Sequence, residues 1–391
     1  SRRQRQMCIR DRFHRRFYHP SNSYIYLYGD MDIDETLKFI DQEYLSHFDA
    51  RNVYSAVKTQ SPLPKRKIVE APFGISENES LEKKTIHALY IALNDHITTE
   101  ESLAFKILSY VLVDMDGAPL KKAVLDAGIG NDVSSAYGDS YKQPVWTIEV
   151  TGSEIDKREK FISTVDLVLR NLALDGIDRN MLEAALNRTE FILRENDFQG
   201  KPKGLLYGVR AMDLWLYDRD PMQALKYIDD IKELRNNLDK GYFENLLLKY
   251  VIKNTHQVLI TMKPERGLTE KKNKETAEKL AAFKSSLSHE QLEEIVESTK
   301  ALKERQASME TEEALKTIPL LSRKDLKREI EDDSLIEEDL NGIRHFHYEV
   351  NTMGITYLNI FFTLYGLKEE DIPYANPVSY THLRAHETRH D

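Results

Sequence analysis

The stretch Gly117-Ala118-Pro119-Leu120-Lys121-Lys122-Ala123-Val124-Leu125-Asp126-Ala127-Gly128-Ile129-Gly130 decides the fold class. Pro119 has the fixed φ that suits the first turn of a helix. Gly128 stands where a helix C-terminus commonly takes a left-handed residue, so Gly128 and Gly130 bracket a turn from helix to strand. Residues 132–137 and 145–151 then read as strands, and two long helices follow near 155–174 and 179–195. Upstream, 86–93 is a strand and 99–113 a helix, its start marked by Thr98 or Thr99 and two glutamates. Helices dominate 204–250, and 257–262 returns as a strand. Strands interleaved with helix pairs give an α+β class, with helices packed on a mostly antiparallel sheet.

The flanks read differently. Residues 22–28 alternate polar and apolar or aromatic side chains, Ser23-Tyr24-Ile25-Tyr26-Leu27-Tyr28, as a strand does. Asp32 caps a helix running to about residue 48, with Leu37, Ile40, Tyr44 and Phe48 at helical spacing. Periodicity vanishes over 49–67, where Ser61-Pro62-Leu63-Pro64 and Lys65-Arg66-Lys67 mark a linker. Residues 270–313 are rich in Lys and Glu and free of Pro; Leu292, Ile295, Thr299 and Leu302 form one narrow apolar stripe. Two helices turning near 285–288 give a charged hairpin with a solvated face. Past Pro319 a new unit opens, with strands at 343–349 and 355–364 and a turn at Asn351-Thr352-Met353-Gly354.

Both ends read as foreign to this pattern. Met7-Cys8-Ile9-Arg10-Asp11 and Val378-Ser379-Tyr380-Thr381-His382 can be written as one DNA inverted repeat: ATG TGT ATA AGA GAC reads in reverse complement as GTC TCT TAT ACA CAT. Residues 1–12 and 378–391 are therefore expected to be adapter-like and non-native, and are excluded from the fold reading. The exclusion removes Cys8, the single cysteine, so neither a disulfide framework nor a thiolate metal site is expected. A cysteine-free body suits a reducing, cytoplasmic setting. The whole chain carries a net charge of −10, and the Arg-rich leader masks part of that acidity. An acidic body argues against nucleic acid or an anionic membrane as partner and is compatible with basic peptides. No run approaches the ~18 apolar residues of a membrane span.

Four stretches carry a resemblance. Phe13-His14-Arg15-Arg16-Phe17-Tyr18-His19-Pro20-Ser21-Asn22, followed by Tyr28-Gly29-Asp30, resembles the end of the first domain of presequence-protease-type metallopeptidases of the pitrilysin/insulinase superfamily. The 117–130 stretch resembles the second domain's helix and glycine turn. Arg194-Glu195-Asn196-Asp197-Phe198, with Gly204-Leu205 and Met212-Asp213-Leu214-Trp215-Leu216-Tyr217, resembles a helical segment of this subfamily. Thr352-Met353-Gly354-Ile355-Thr356-Tyr357-Leu358 resembles the opening strands of the third domain, where the family more often has Asn in place of Met353. The resemblance implies an organisation: 13–50 the end of a first peptidase-like domain, 51–75 a linker, 76–265 a second domain, 266–320 a helical hairpin linker, and 321–377 the start of a third. It also implies a closed chamber admitting unfolded oligopeptides, and zinc in the full-length protein, held by a His-x-x-Glu-His motif and a later Glu. The missing N- and C-terminal domains of the same chain would be its partners. The motif does not occur between Phe13 and Pro377. No catalytic, metal or cofactor-binding residue is therefore assigned, and the chain alone is expected to be inactive and zinc-free. The alternative is a non-catalytic structural or chaperone-like subunit of the same fold; an interaction coiled coil at 270–313 ranks last, its stripe being too short.

Other candidates have blander explanations. His386-Glu387-Thr388-Arg389-His390 matches a two-histidine zinc motif, with His382 one turn earlier, but lies in the adapter-like tail. His345, His347 and Glu349 share one face of a strand, read as a solvated face rather than a metal site. His14 and His19 flank aromatics and read as packing at a domain edge. Asn187-Arg188-Thr189 matches a glycosylation sequon within a helix. Tyr207, Trp215 and Tyr217 read as core packing, with a peptide groove as the sharper alternative.

Overall fold

The computed structural model describes residues 2–196, 200–318, 320–324, 326, 335–350, 352–361 and 363–375. These divide into two compact units. The first comprises 1–72, 80–264 and 355–391, and the second comprises 73–79 and 265–354.

The first unit opens with helices α1 (Arg2–Phe17) and α2 (Ile33–Glu43); the Asp32 carboxylate caps α2 by accepting from the Glu35 amide. Strand β1 (Lys67–Ile75) follows, so the end of the expected 51–75 linker is sheet. Next come β2 (Thr85–Ala92), α3 (Thr99–Ser109), α4 (Pro119–Asp126), β3 (Asp132–Gly138) and β4 (Val145–Ser153). Helices α5 (Arg158–Asp175), α6 (Arg179–Glu195), α7 (Lys203–Trp215), α8 (Ile228–Asn236) and α9 (Tyr242–Leu247) lead to β5 (Gln257–Arg266). The sheet runs β1-β5-β2-β4-β3, and β2 pairs antiparallel with both β4 and β5. Leu89 stands opposite Ile148 on one side and Leu259 on the other, and all three are buried.

Burial explains why α3 to α9 stay on this sheet. Phe105 of α3 is enclosed by the rings of Tyr137 at 5.5 Å, Tyr250 at 5.8 Å and Trp146 at 6.2 Å. The Trp146 indole N–H donates to Ser135 Oγ at 3.0 Å, which satisfies the one polar atom of that side chain. At the quoted turn, Gly128 has φ +64°, as a left-handed helix terminus requires. Gly130 serves another purpose: a Cβ there would lie 2.6 Å from the Thr151 carbonyl oxygen, so close approach to β4 demands glycine.

Two expected strands do not form. Residues 23–28 are extended but no strand among the described residues pairs with them, and the described part of 355–364 is irregular. An alternating pattern reports a face to be buried, not a neighbouring backbone to bond.

The second unit holds α10 (Leu268–Ser285), α11 (His289–Ala307), α12 (Glu312–Lys316) and a two-stranded antiparallel hairpin of β6 (Leu335–Leu340) and β7 (Ile343–Tyr348). The helix pair turns at 286–288, where the Ser288 hydroxyl caps α11. The hairpin turns on Asn341 and Gly342, both at positive φ, the signature of a tight two-residue connection.

A mixed-charge cavity as the candidate functional site

A cavity of about 850 Å³ opens in the first unit, among the helices. Its walls come from separated parts of the chain: α3, α6, the C-terminal half of α7, the turn before α8, and the loop between β3 and β4. The position of α3 follows from its start, where Thr98 Oγ1 accepts from the Glu101 amide and the Glu101 carboxylate accepts from the Thr98 amide. Ser102 and Lys106, one turn apart on the exposed side of α3, both reach Asp139: Ser102 Oγ donates at 3.0 Å and Lys106 Nζ pairs at 2.6 Å. The Tyr217 hydroxyl donates to the Ser140 carbonyl at 3.1 Å and ties the end of α7 to the same loop.

The floor is apolar, with Ile97, Leu103, Ile192, Leu193 and Leu214. Charges ring it in both signs. Burial pushes the Asp213 carboxyl above the ordinary range, against a hydrogen bond from Ser140; burial does the same at Asp230, against one from Thr99. The Arg188 guanidinium lies 4.2 Å from the Tyr110 ring centroid, and Arg219 also lines the wall. An apolar floor with carboxylates and guanidiniums at the rim suits an amphipathic, extended ligand, and the volume falls in the usual range of ligand sites.

Of the residues singled out by sequence, Tyr217 alone lines this cavity. Trp215 and Tyr207 face elsewhere: Trp215 packs on Tyr24 at 4.5 Å and Tyr207 on Tyr28 at 5.8 Å, so the expected aromatic cluster is split. His14 stacks on Tyr18 at 4.6 Å; His19 meets Phe48 edge-on at 5.6 Å, and its Nδ1 accepts from the Ser21 amide. Asn187 sits within α6, its side-chain oxygen accepting from Arg235 at 3.0 Å. His345 and His347 do share a face of β7, their ring centroids 6.2 Å apart, and Glu349 lies just past the strand. His382, His386 and His390 fall outside the described residues. Sequence reading missed Lys106, Asp139, Asp213 and Asp230 as a set, because they come from four elements with no shared motif. Among the described residues, no group of three or more His, Cys, Asp or Glu side chains could hold a metal ion. Zinc therefore does not fit the residues described, and no chemical step is derived through it. No described helix is long and apolar enough to cross a membrane.

Comparison with known proteins agrees with the fold. The family described as Peptidase M16 inactive domain matches residues 11–189, and the family of regions associated with subfamily C of the M16 peptidases matches residues 262–377. Protein HypA of Clostridium perfringens is 40% identical over 362 residues, covering 93% of this chain and 37% of that protein. The chloroplastic/mitochondrial Presequence protease 1 of Arabidopsis thaliana is 30% identical over 373 residues, covering 92% of this chain and 34% of that protein. The chain thus spans about a third of the length of these relatives. Among solved structures, a protease from Helicobacter pylori aligns with a TM-score of 0.50 at 14% identity, over 65% of this chain and 58% of that one, a likeness of fold alone. Two M16 descriptions matched in order along one chain, on an α+β fold, lead to one conclusion: the chain belongs to the M16, or pitrilysin/insulinase, family of peptidases.

Proposed function

We propose that this chain is the middle part of a zinc metalloendopeptidase that degrades unfolded oligopeptides in a closed chamber, and that it supplies wall and linker rather than the zinc centre. The observation that carries the reading is the collinear M16 match over a chain whose described residues offer no three-donor metal cluster. In this reading 13–50 ends a first peptidase-like domain, 76–265 is a second, 266–320 joins the enzyme's halves and 321–377 begins a third. The zinc ligands and the general-base glutamate belong to another part of the full-length protein, which works in the cytoplasm. The mixed-charge cavity is where the second domain grips a peptide, apolar side chains on its floor and charged ones at Asp213, Asp230 and Arg219.

The test is a chimaera in which these residues replace the matching third of the Arabidopsis presequence protease. Peptide turnover is expected to persist, whereas the chain alone is expected to cleave no fluorogenic peptide and to hold no stoichiometric zinc. A folded chimaera that has lost turnover favours the non-catalytic subunit. One tightly held zinc on the chain alone, accompanied by peptide hydrolysis, overturns the wall assignment.

A further inference from the structure

The extended segment 23–28 touches α7 through every second residue. Tyr28 lies over Gly204, Tyr26 over Gly208, and Tyr24 against Trp215. Gly204, Gly208, Ala211 and Trp215 follow helical spacing and form one face. A Cβ on Gly204 would lie 2.1 Å from Tyr28 Cδ1, and one on Gly208 2.8 Å from Tyr26 Cδ1, so the rings occupy space that any other residue would fill. The fit has a geometric origin. Two residues of extended chain advance about 6.7 Å, and four residues of helix advance about 6 Å. Alternate side chains of the segment therefore stay nearly in step with the i, i+4 notches, running antiparallel to the helix. The step from Gly208 to Trp215 is longer, and the indole covers it because helix side chains lean toward the N-terminus.

This contact rests on side chains. No strand among the described residues pairs with 23–28, and residues 24–28 keep 36–57% of their surface exposed. We propose that the Gly204–Gly208–Trp215 face of α7 is a docking rail for extended polypeptide bearing aromatic side chains at alternate positions, and that residues 24–28 are its tethered, exchangeable occupant. Recognition comes from matched pitch and from the two glycine notches, so it selects aromatic spacing rather than one sequence.

The experiment uses the full chain and a fluorescein-labelled synthetic peptide with the sequence of residues 21–30. In the Tyr24→Ala/Tyr26→Ala/Tyr28→Ala variant the rail is vacant, and the peptide is expected to bind. It is expected to bind the unmodified chain at least about tenfold more weakly, since the tethered segment competes at millimolar effective concentration. Adding Gly208→Val to the vacant variant should abolish binding, as should replacing the peptide's three tyrosines by alanine. No binding to the vacant variant, or equal binding of the tyrosine and alanine peptides, overturns the proposal. Should the triple variant lose its cooperative thermal transition, Gly208→Val in an otherwise intact chain decides. With Trp146→Phe leaving Trp215 as the sole tryptophan, acrylamide is expected to quench Trp215 more strongly as Tyr24 lifts away, and unchanged quenching overturns the proposal.

Discussion

Helices α3 and α11 begin alike and end up in opposite circumstances. Thr98 with Glu101 and Ser288 with Gln291 each form a reciprocal capping box. Helix α3 then buries Ala104, Phe105, Ile107, Leu108 and Ser109, while α11 buries none of its residues. Its stripe of Leu292, Ile295 and Leu302 stays partly or largely open to solvent. Capping chemistry fixes where a helix starts. It does not fix how much of the protein's stability passes through that helix, since most of that comes from the apolar face finding a neighbour.

The comparison is broken most sharply by large-to-small substitutions. Phe105→Ala should lower the stability of the first unit by about 3–5 kcal/mol, the cost of emptying an enclosed aromatic site. Leu302→Ala in α11 should change the stability of that unit by no more than about 0.5 kcal/mol. Urea titrations followed through Trp146 fluorescence measure both, and comparable losses would show that α11 shares the core's cooperativity. The capping boxes sharpen the same point at smaller scale. Thr98→Ala should cost about 1 kcal/mol of global stability. Ser288→Ala should speed amide exchange in the first turn of α11 and leave the global midpoint alone. Between these in burial lies Arg66, whose guanidinium meets both Asp166 carboxylate oxygens at 2.9 and 2.7 Å and Gln257 Oε1 at 2.7 Å. Both partners of this pair are a quarter to two-fifths exposed, so Asp166→Asn should cost less than about 1 kcal/mol in a chemical-denaturation experiment.

The same contrast accounts for what the sequence made legible. Over 85–266 the periodicities report real burial, so the strands near 86, 132, 145 and 257 and the helices between them appear where they were expected. Residues 67–75 were read as linker because Lys65-Arg66-Lys67 and Pro72 dilute the alternation, yet β1 keeps an alternating pattern of partial burial at the sheet edge, where polar residues are tolerated. Residues 23–28 showed a true alternation for a different reason: their tyrosines fit a helix, and no ladder among the described residues pairs with them. The cavity was illegible because Lys106, Asp139, Asp213 and Asp230 converge from four elements. Only Asp213 stood in a stretch that sequence had singled out. The family, by contrast, rests on order and spacing along the chain, and those survive without any site residue.

The smallest expected effect concerns His87, which sits in the centre of the buried body rather than in the exposed helices. Its Nε2 is 3.0 Å from the Glu154 carbonyl oxygen, which can only accept, so Nε2 carries the proton and Nδ1 is left to accept from Thr261 Oγ1 at 3.0 Å. Burial holds the imidazole below its ordinary titration range; the Glu154 carbonyl and Asp156 act in the opposite direction and Arg158 reinforces the lowering. The unfolded chain therefore takes up the proton at a higher pH than the folded chain does. The resulting stabilisation is complete above the usual histidine value of about 6.5 and is lost as the pH falls through it toward the folded value. The melting temperature of the first unit should accordingly drop between pH 7.5 and 5.5, and the drop should be smaller in His87→Gln, which cannot titrate. If the variant, folded and cooperative, kept the same pH dependence as the unmodified chain, the loss would have to come from the carboxylates of the surface and not from this buried ring.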